Sequence, residues 1–253
     1  MANILKEDDY NILKKVVEAH PNSGVSLDEL VTVYGKESSF GKKLNRKGSN
    51  YHGSFQFGKD AIKTLNNAGF SFTLDDAKTD LSKSAHAYIN MTVINNKQFK
   101  NFKGQYGISD SELHSYSSST KNYLMHQQGP NGLAAILKTI SQGATEESPQ
   151  GSYGTTRMAI YDVETGKSGP VYRRGSLTRN RMIENLTKSQ KDHFINTTTT
   201  IPEASRYFLE SVDSQLNEVK GKVDKDLRKY KKDDDDTGFL FPDDNLMPDN
   251  IPV

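Results

Sequence analysis

Cysteine is absent from the 253-residue chain. That excludes disulfide scaffolds, thiol catalysis and thiolate metal sites, but says little about compartment, because secreted proteins also lack cysteine at times. No run of about 18 apolar residues occurs, so no segment is expected to span a membrane. An export signal is missing as well: Lys6, Glu7, Asp8 and Asp9 stand where a signal peptide needs its apolar centre. Apolar residues are scarce, at 34% of the chain, and mean hydropathy is -0.73. They nonetheless fall in helical groupings, which excludes a chain disordered throughout. His52, His86, His114 and His126 are scattered over separate elements with no H-E-x-x-H pattern, which argues against a zinc peptidase or amidase. No G-x-x-x-x-G-K-[ST] run is present to cradle a phosphate. No cofactor is expected.

The length suits one good-sized domain with an appendage, and no metal or disulfide is needed to build its core. The net charge of +1 conceals an asymmetry. From Thr198 onward there are 8 Lys/Arg against 13 Asp/Glu, a net of -5, and residues 1 to 197 hold 25 against 19, a net of +6. A mildly basic body suits an anionic polymer and an acidic tail suits solubility or docking. Ordinary solvated surface is an equally good reading of both.

Along the chain, Tyr10, Leu13, Val16 and Val17 mark a first amphipathic helix over residues 7 to 19, stopped at His20-Pro21. Ser26 with Glu29 forms a capping-box pattern, and the stripe Leu27, Leu30, Val31, Tyr34 runs from it into Glu37. Gly41 to Gly53 reads as a loop or irregular hairpin, Lys59 to Asn67 as a third helix ended by Gly69. Thr73 and Asp76 cap a fourth helix carrying Leu81, Ala85, Tyr88, Ile89 and Val93, after which Asn95 to Gly107 reads as loop. Ser109 with Glu112 begins a long helix that ends at Gln128-Gly129, breaks at Pro130 and resumes over Leu133 to Ile140. Gly143 to Gly175 shows the least pattern. Two short helices, about 177 to 187 and 189 to 196, close the body, and Thr197 to Pro202 reads as a linker. Beyond it Phe208, Val212, Leu216, Val219, Val223, Leu227 and Tyr230 form one stripe, fit either to dock on the body or to self-associate as a short coiled coil. Strand signals are few, so the fold class is mainly α.

Glu37 leads the candidates for chemistry. A helix C-terminus is partially negative and disfavours a second negative charge, and Tyr34, Phe40, Phe55 and Phe57 nearby would add desolvation. A general acid for glycosidic cleavage needs that bias toward the protonated form. Taken alone, Glu37 is more simply a surface glutamate on a helix end, Gln56 a loop amide, and His126 a polar residue satisfied at a helix end.

The ordered set changes that balance. Glu37-Ser38-x-Phe40, followed by Gly53-x-Phe55-Gln56, resembles the E-S-x-F and G-L-M-Q-like elements of the lytic transglycosylase and goose-type lysozyme group, the SLT-domain family. Tyr123-x-x-His126-Gln127-Gln128-Gly129-Pro130 is similar to that group's second motif, A-Y-N-A-G-P, in a form like its bacteriophage members. The likeness covers residues 25 to 142 and extends more weakly to about 197. It implies a lysozyme-like fold, α+β with minimal β, and cleavage of the β-1,4 bond between N-acetylmuramic acid and N-acetylglucosamine in peptidoglycan. It also implies Glu37 as the catalytic residue, with Ser38, Gln56, Tyr123, His126 and Gln127 as substrate-binding residues. Three departures stand beside it: a loop one residue longer before Gln56, unusual residues at Phe55 and His126-Gln127, and no E-T-x-x-Y element between Gly151 and Tyr172. Tyr153 and Tyr161 are loose substitutes for that element.

An inverting hydrolase would place a second carboxylate about 6.5 to 9.5 Å from the first, and a retaining one would place a nucleophile at about 5 to 5.5 Å. No second acid stands out near the motifs, since Asp60 and Asp75 sit where helix starts favour acids. A transglycosylase manages with one carboxyl group and leaves a 1,6-anhydromuramoyl end. The expectation is a lytic transglycosylase domain over 1–197, a linker and amphipathic helix over 198–231, and an acidic, flexible tail over 232–253. Asp233-x-Asp235-x-Thr237-Gly238 partly mimics a calcium loop, but Pro242 interrupts it, and a solvated acidic run is the preferred reading. Glycan strands are the expected partner, with other virion proteins meeting the C-terminal extension and no nucleic acid. The location expected is a bacteriophage virion, or the host cytoplasm with delivery to the wall. The rivals are a goose-type hydrolase of the same bond and a non-catalytic virion or peptidoglycan-binding protein.

Overall fold

The computed structural model describes residues 4–45, 49–109, 116–142, 186–191 and 201–236. Over these the chain is mainly helical, with α1 at Glu7–Glu18, α2 at Leu27–Ser38, α3 at Lys59–Asn67, α4 at Leu74–Thr79, α5 at Leu81–Tyr106, α6 at Ser118–Gln142 and α7 at Ile201–Asp236. Among the described residues, β pairing is limited to two isolated antiparallel bridges, Asn45 with His52 and His52 with Phe57. None of the described helices is long and apolar enough to cross a membrane.

The helix α1 opens on Glu7, Asp8 and Asp9, which suit the positive end of its dipole, and it buries Tyr10, Leu13 and Val16. Ser26 caps α2 by accepting from the Glu29 amide at 3.2 Å. The box is not closed from the other side, because the Glu29 carboxylate turns inward to Tyr88 and Asn122. Every residue of α2 from Glu29 to Gly35 is buried. A helix covered on all sides lies at the centre of a helical assembly, and both α1 and α7 pack on it.

Gly35 is where that packing is tightest. A Cβ there would stand 2.2 Å from the Phe40 ring and 2.8 Å from Val219 Cγ1, so only glycine admits the returning turn and α7 at the same level. The stripe read from the C-terminal sequence is the buried face of α7: Phe208, Leu209, Val212, Leu216, Val223, Leu227 and Tyr230 all join the core, against α6 and α2. The helix begins at Ile201 with Pro202 in its first turn, a place that tolerates proline, and it continues through Asp233 and Asp235 to Asp236. Those two aspartates are therefore helical rather than the opening of a calcium loop.

The far end of α7 holds the start of the chain. Asp226 is buried, and one carboxylate oxygen accepts from the amides of Ile4 at 2.7 Å and Leu5 at 3.1 Å. Tyr230 donates to the Leu5 carbonyl at 2.9 Å, and its ring lies 5.0 Å from that of Tyr10.

Two sequence expectations are corrected. Residues 95 to 106 are not loop but the second half of α5, because tertiary partners outweigh the low helix propensity of asparagine. Asn95 donates to the Met125 carbonyl at 3.3 Å, Asn96 donates to Asn122 at 3.2 Å, and Phe99 and Tyr106 are buried. The helix ends instead at Gly107, whose φ of 65° provides a left-handed cap. The fourth expected helix is two, divided at Asp80, which is extended and whose carboxylate accepts from the Lys83 amide to start α5.

In α6 the expected break narrows to a single residue, Gly129, with φ 75° and ψ 162°. Pro130 follows it, where a missing N–H does no harm. Ser117 caps this helix through the Thr120 amide. Ser109 is non-helical, while Glu112 lies outside the described residues. So do Tyr153, Tyr161, the tail beyond residue 236 and most of the two short closing helices, of which one turn over 188–191 is seen.

Removing the Asp226 carboxylate leaves two amides at the start of the chain without their acceptor. Asp226→Ala is expected to lower unfolding free energy by about 1–3 kcal/mol, measured by urea denaturation.

Candidate active site

Glu37 occupies the last turn of α2 and is half-buried. The chain leaves the helix through three consecutive left-handed residues, Ser39 at φ 52°, Phe40 at 56° and Gly41 at 76°. That unusual reversal is held by Ser38. Its hydroxyl donates to the Tyr34 carbonyl at 2.8 Å and accepts from the Gly41 amide at 3.1 Å, and its own carbonyl accepts from the Lys43 amide at 2.8 Å. Ser38 is fully buried, so its contacts fix the backbone that presents Glu37.

The loop up to Phe57 is built around Gly53 and Gln56. A Cβ at Gly53 would lie 1.6 Å from the Ala77 carbonyl oxygen, so this glycine, at φ 83°, lets the loop press against α4. Gln56 also adopts a positive φ, 50°, and its side-chain NH2 donates to the carbonyls of Gly53 at 2.7 Å and of Lys43 and Leu44 at 3.3 Å each. Its amide thus ties the two arms of the loop together. Phe55 and Phe57 are buried on either side of it. Phe55 stacks on Tyr88 at 5.1 Å, and Phe57 meets the edges of Phe72 and His126. With Tyr34 and Phe40, these rings form the apolar backing of the turn.

The second motif reaches both parts from α6. Tyr123 donates its hydroxyl proton to Glu37 Oε1 at 2.7 Å, and Gln127, one turn on, donates from Nε2 to the Tyr123 oxygen at 3.3 Å. His126 points to the loop: Nε2 lies 2.8 Å from the Phe55 carbonyl, which makes it the protonated nitrogen. The structure therefore brings Glu37, Tyr123 and Gln127 into one hydrogen-bonded group. It places Ser38, Gln56 and His126 in the frame around it, each bonded to backbone.

Sequence reasoning missed Glu29. It is buried on α2, and accepts from Asn122 Nδ2 at 3.0 and 3.2 Å and from Tyr88 Oη at 3.3 Å. Burial pushes its carboxyl up to about 7, against the opposing effect of bonds from Asn122, Tyr88 and Ser119. Tyr88 is in turn pushed well up, by its own burial and by the charge of Glu29, with a smaller effect from Glu37. The signal was available: residues 29, 33 and 37 share one helix face. The capping-box pattern gave Glu29 a sufficient local role and hid it. Eight residues of α-helix put the Cα atoms of Glu29 and Glu37 about 12 Å apart.

No protein-family model, curated protein or solved structure matches this chain.

Glu29 gives a pH signature of fixed sign. Its carboxyl holds a proton in the folded protein that the unfolded chain loses near pH 4.5, so stability falls as pH rises from about 4.5 to 7 and is level above that. Glu29→Gln should abolish this decline, which amounts to a difference on the order of 3 kcal/mol between the two ends of the window. Chemical denaturation of both proteins across that range reads it directly.

Proposed function

We propose that this protein is a peptidoglycan lytic transglycosylase that cleaves the β-1,4 bond between N-acetylmuramic acid and N-acetylglucosamine. The observation that carries the reading is the 2.7 Å bond from Tyr123 to Glu37 across 86 residues of chain. It joins the two motifs whose likeness to the family rests on separate stretches. A surface glutamate on a helix end would have no need of a buried tyrosine from the second motif.

In this reading Glu37 acts alone. Tyr123 donates to Oε1, so the proton that moves is carried by Oε2. Oε2–H protonates the glycosidic oxygen, the C1–O4 bond breaks, and positive charge develops at the muramoyl C1. The resulting carboxylate then takes the proton of the sugar's own 6-hydroxyl as O6 bonds to C1. Glu37 returns to its acid form, no water is consumed, and the products are a free 4-hydroxyl and a 1,6-anhydromuramoyl end. The enclosure of Glu29 by Asn122 and Tyr88 supports a one-carboxyl scheme over a hydrolytic pair. Gln127 would orient Tyr123, and Ser38, Gln56 and His126 would hold the loop and turn that shape the subsites. The virion is the proposed setting, with glycan strands as substrate.

Glu37→Gln should clear cell walls at least about a hundredfold more slowly than the parent, in line with loss of a general acid; equal clearing rates would mean that Glu37 is not the acid, and no clearing by the parent would reduce the protein to a non-catalytic binder. Tyr123→Phe should lose roughly tenfold in rate while leaving the helical circular dichroism intact. Mass spectrometry of the digest identifies the chemistry, because anhydromuramoyl ends are expected and reducing ends alone would mean a hydrolase.

A further inference from the structure

The loop that follows Glu37 carries charge of one sign. Residues 41 to 59 hold five Lys/Arg and no Asp/Glu, and taking those five from the body's 25 leaves 20 against 19. Nearly all of the body's positive excess therefore lies in this stretch. Lys42, Lys43 and Lys59 are exposed, and none of the three meets a carboxylate among the described residues. Lys83, by contrast, pairs with Asp76 at 2.6 Å. A surface that mixes both signs neutralises itself locally, while one of a single sign draws in a partner of the other.

Among these cations stands an exposed aromatic ring. Tyr51 is 54% exposed, yet the backbone around it is pinned. Its amide donates to Ser49 Oγ at 3.0 Å, and His52 exchanges backbone bonds of 3.1 and 2.8 Å with Phe57. The ring lies against Gly58, where a Cβ would come within 3.0 Å of a ring carbon. One edge is thus seated, and the ring is held without being covered. Backbone bonds also tie the loop to the acid. The Lys43 amide donates at 2.8 Å to the carbonyl of Ser38, next to Glu37, and the Gly53 amide donates at 2.7 Å to the Leu44 carbonyl. Lys42 and Lys43 sit on the arm that leaves Glu37, and Tyr51 and Lys59 on the arm that returns.

We propose that Lys42, Lys43, Tyr51 and Lys59 form a binding surface for an acidic glycan, on which Tyr51 stacks against a pyranose ring and the lysines meet carboxylates carried by the strand. This deepens the transglycosylase reading and rests on it: the preferred substrate is a muramoyl strand that keeps its acidic peptides, in place of a neutral N-acetylglucosamine polymer. A pyranose presents C–H groups on one face, which suit the negative face of an aromatic ring. Lysine is a point charge on a flexible stem, suited to carboxylates whose positions vary along a strand. Single-stranded nucleic acid also stacks on rings among cations, but the continuity of this loop with Glu37 favours the glycan.

Co-sedimentation of Glu37→Gln with insoluble peptidoglycan on ice, before and after amidation of the wall's carboxylates, reads binding with cutting suppressed. The native wall should bind roughly tenfold more tightly than the amidated one, and the advantage should shrink as salt rises from about 50 to about 200 mM. Adding Lys42→Gln, Lys43→Gln and Lys59→Gln together should remove the advantage without changing Tm. Tyr51→Ala should weaken binding of both walls severalfold, and Tyr51→Phe should bind them as the unsubstituted loop does. Equal binding of the two walls, or lysine and Tyr51→Ala variants that bind unchanged, overturns the inference while leaving Glu37 and the anhydromuramoyl products in place. Oligothymidylate bound as tightly as the native wall, and lost in the same lysine variant, overturns it too, by making the loop a general polyanion contact. A protein that binds neither wall, and whose parent leaves no anhydromuramoyl ends, overturns both this inference and the transglycosylase reading.

Discussion

The helices α2 and α6 are linked by two adjacent residues of one reaching two glutamates of the other. Asn122 binds Glu29 in the interior, and Tyr123 binds Glu37 at the half-buried helix end. Successive residues on a helix point about 100° apart, so the pair grips α2 in two directions at once. The same contact has opposite consequences at its two ends. At Glu29, burial favours the neutral acid inside the core. At Glu37, the Tyr123 phenol binds Oε1 and the group stands half-buried at the helix end.

The surroundings of that link keep the end of α2 in place. Gly35 lets Phe40 fold back over the helix with Val219 beside it, and Gly53 lets the following loop lie against the Ala77 carbonyl. Ser38 and Gln56, polar but buried, spend their hydrogen bonds on backbone. His126 ties the same loop to α6. The site is consequently assembled from two helix segments and a loop whose positive φ angles at Ser39, Phe40 and Gln56 are maintained by their surroundings, as strained backbone at functional positions tends to be.

Much of this was legible in advance where local rules and tertiary demands agree. The stripe of α1, the Ser26 cap, the approach of α2 to Glu37 and the apolar face of α7 follow from periodicity alone. Legibility failed where a residue's local preference was overruled by a distant partner. Asn95 and Asn96 look like loop residues and are helical because Met125 and Asn122 receive them. Glu29 looks like a capping residue and is a core acid because Asn122 and Tyr88 enclose it. In the candidate site, the grouping of Glu37 with Tyr123 and Gln127 was readable only as a likeness between motifs.

The clamp between Asp226, Tyr230 and the backbone of Ile4 and Leu5 joins parts of the chain separated by 221 to 225 residues. During synthesis, the first helix waits for the last. The Gly35 face of α2 likewise lacks its cover until Val219 has been made. Contacts this remote in sequence are slow to form, so the turn bearing Glu37 gains the cover of Val219 only once the first half of α7 has been made. For a protein proposed to cut glycan strands, this order leaves the Glu37 turn without its full cover until Val219 exists.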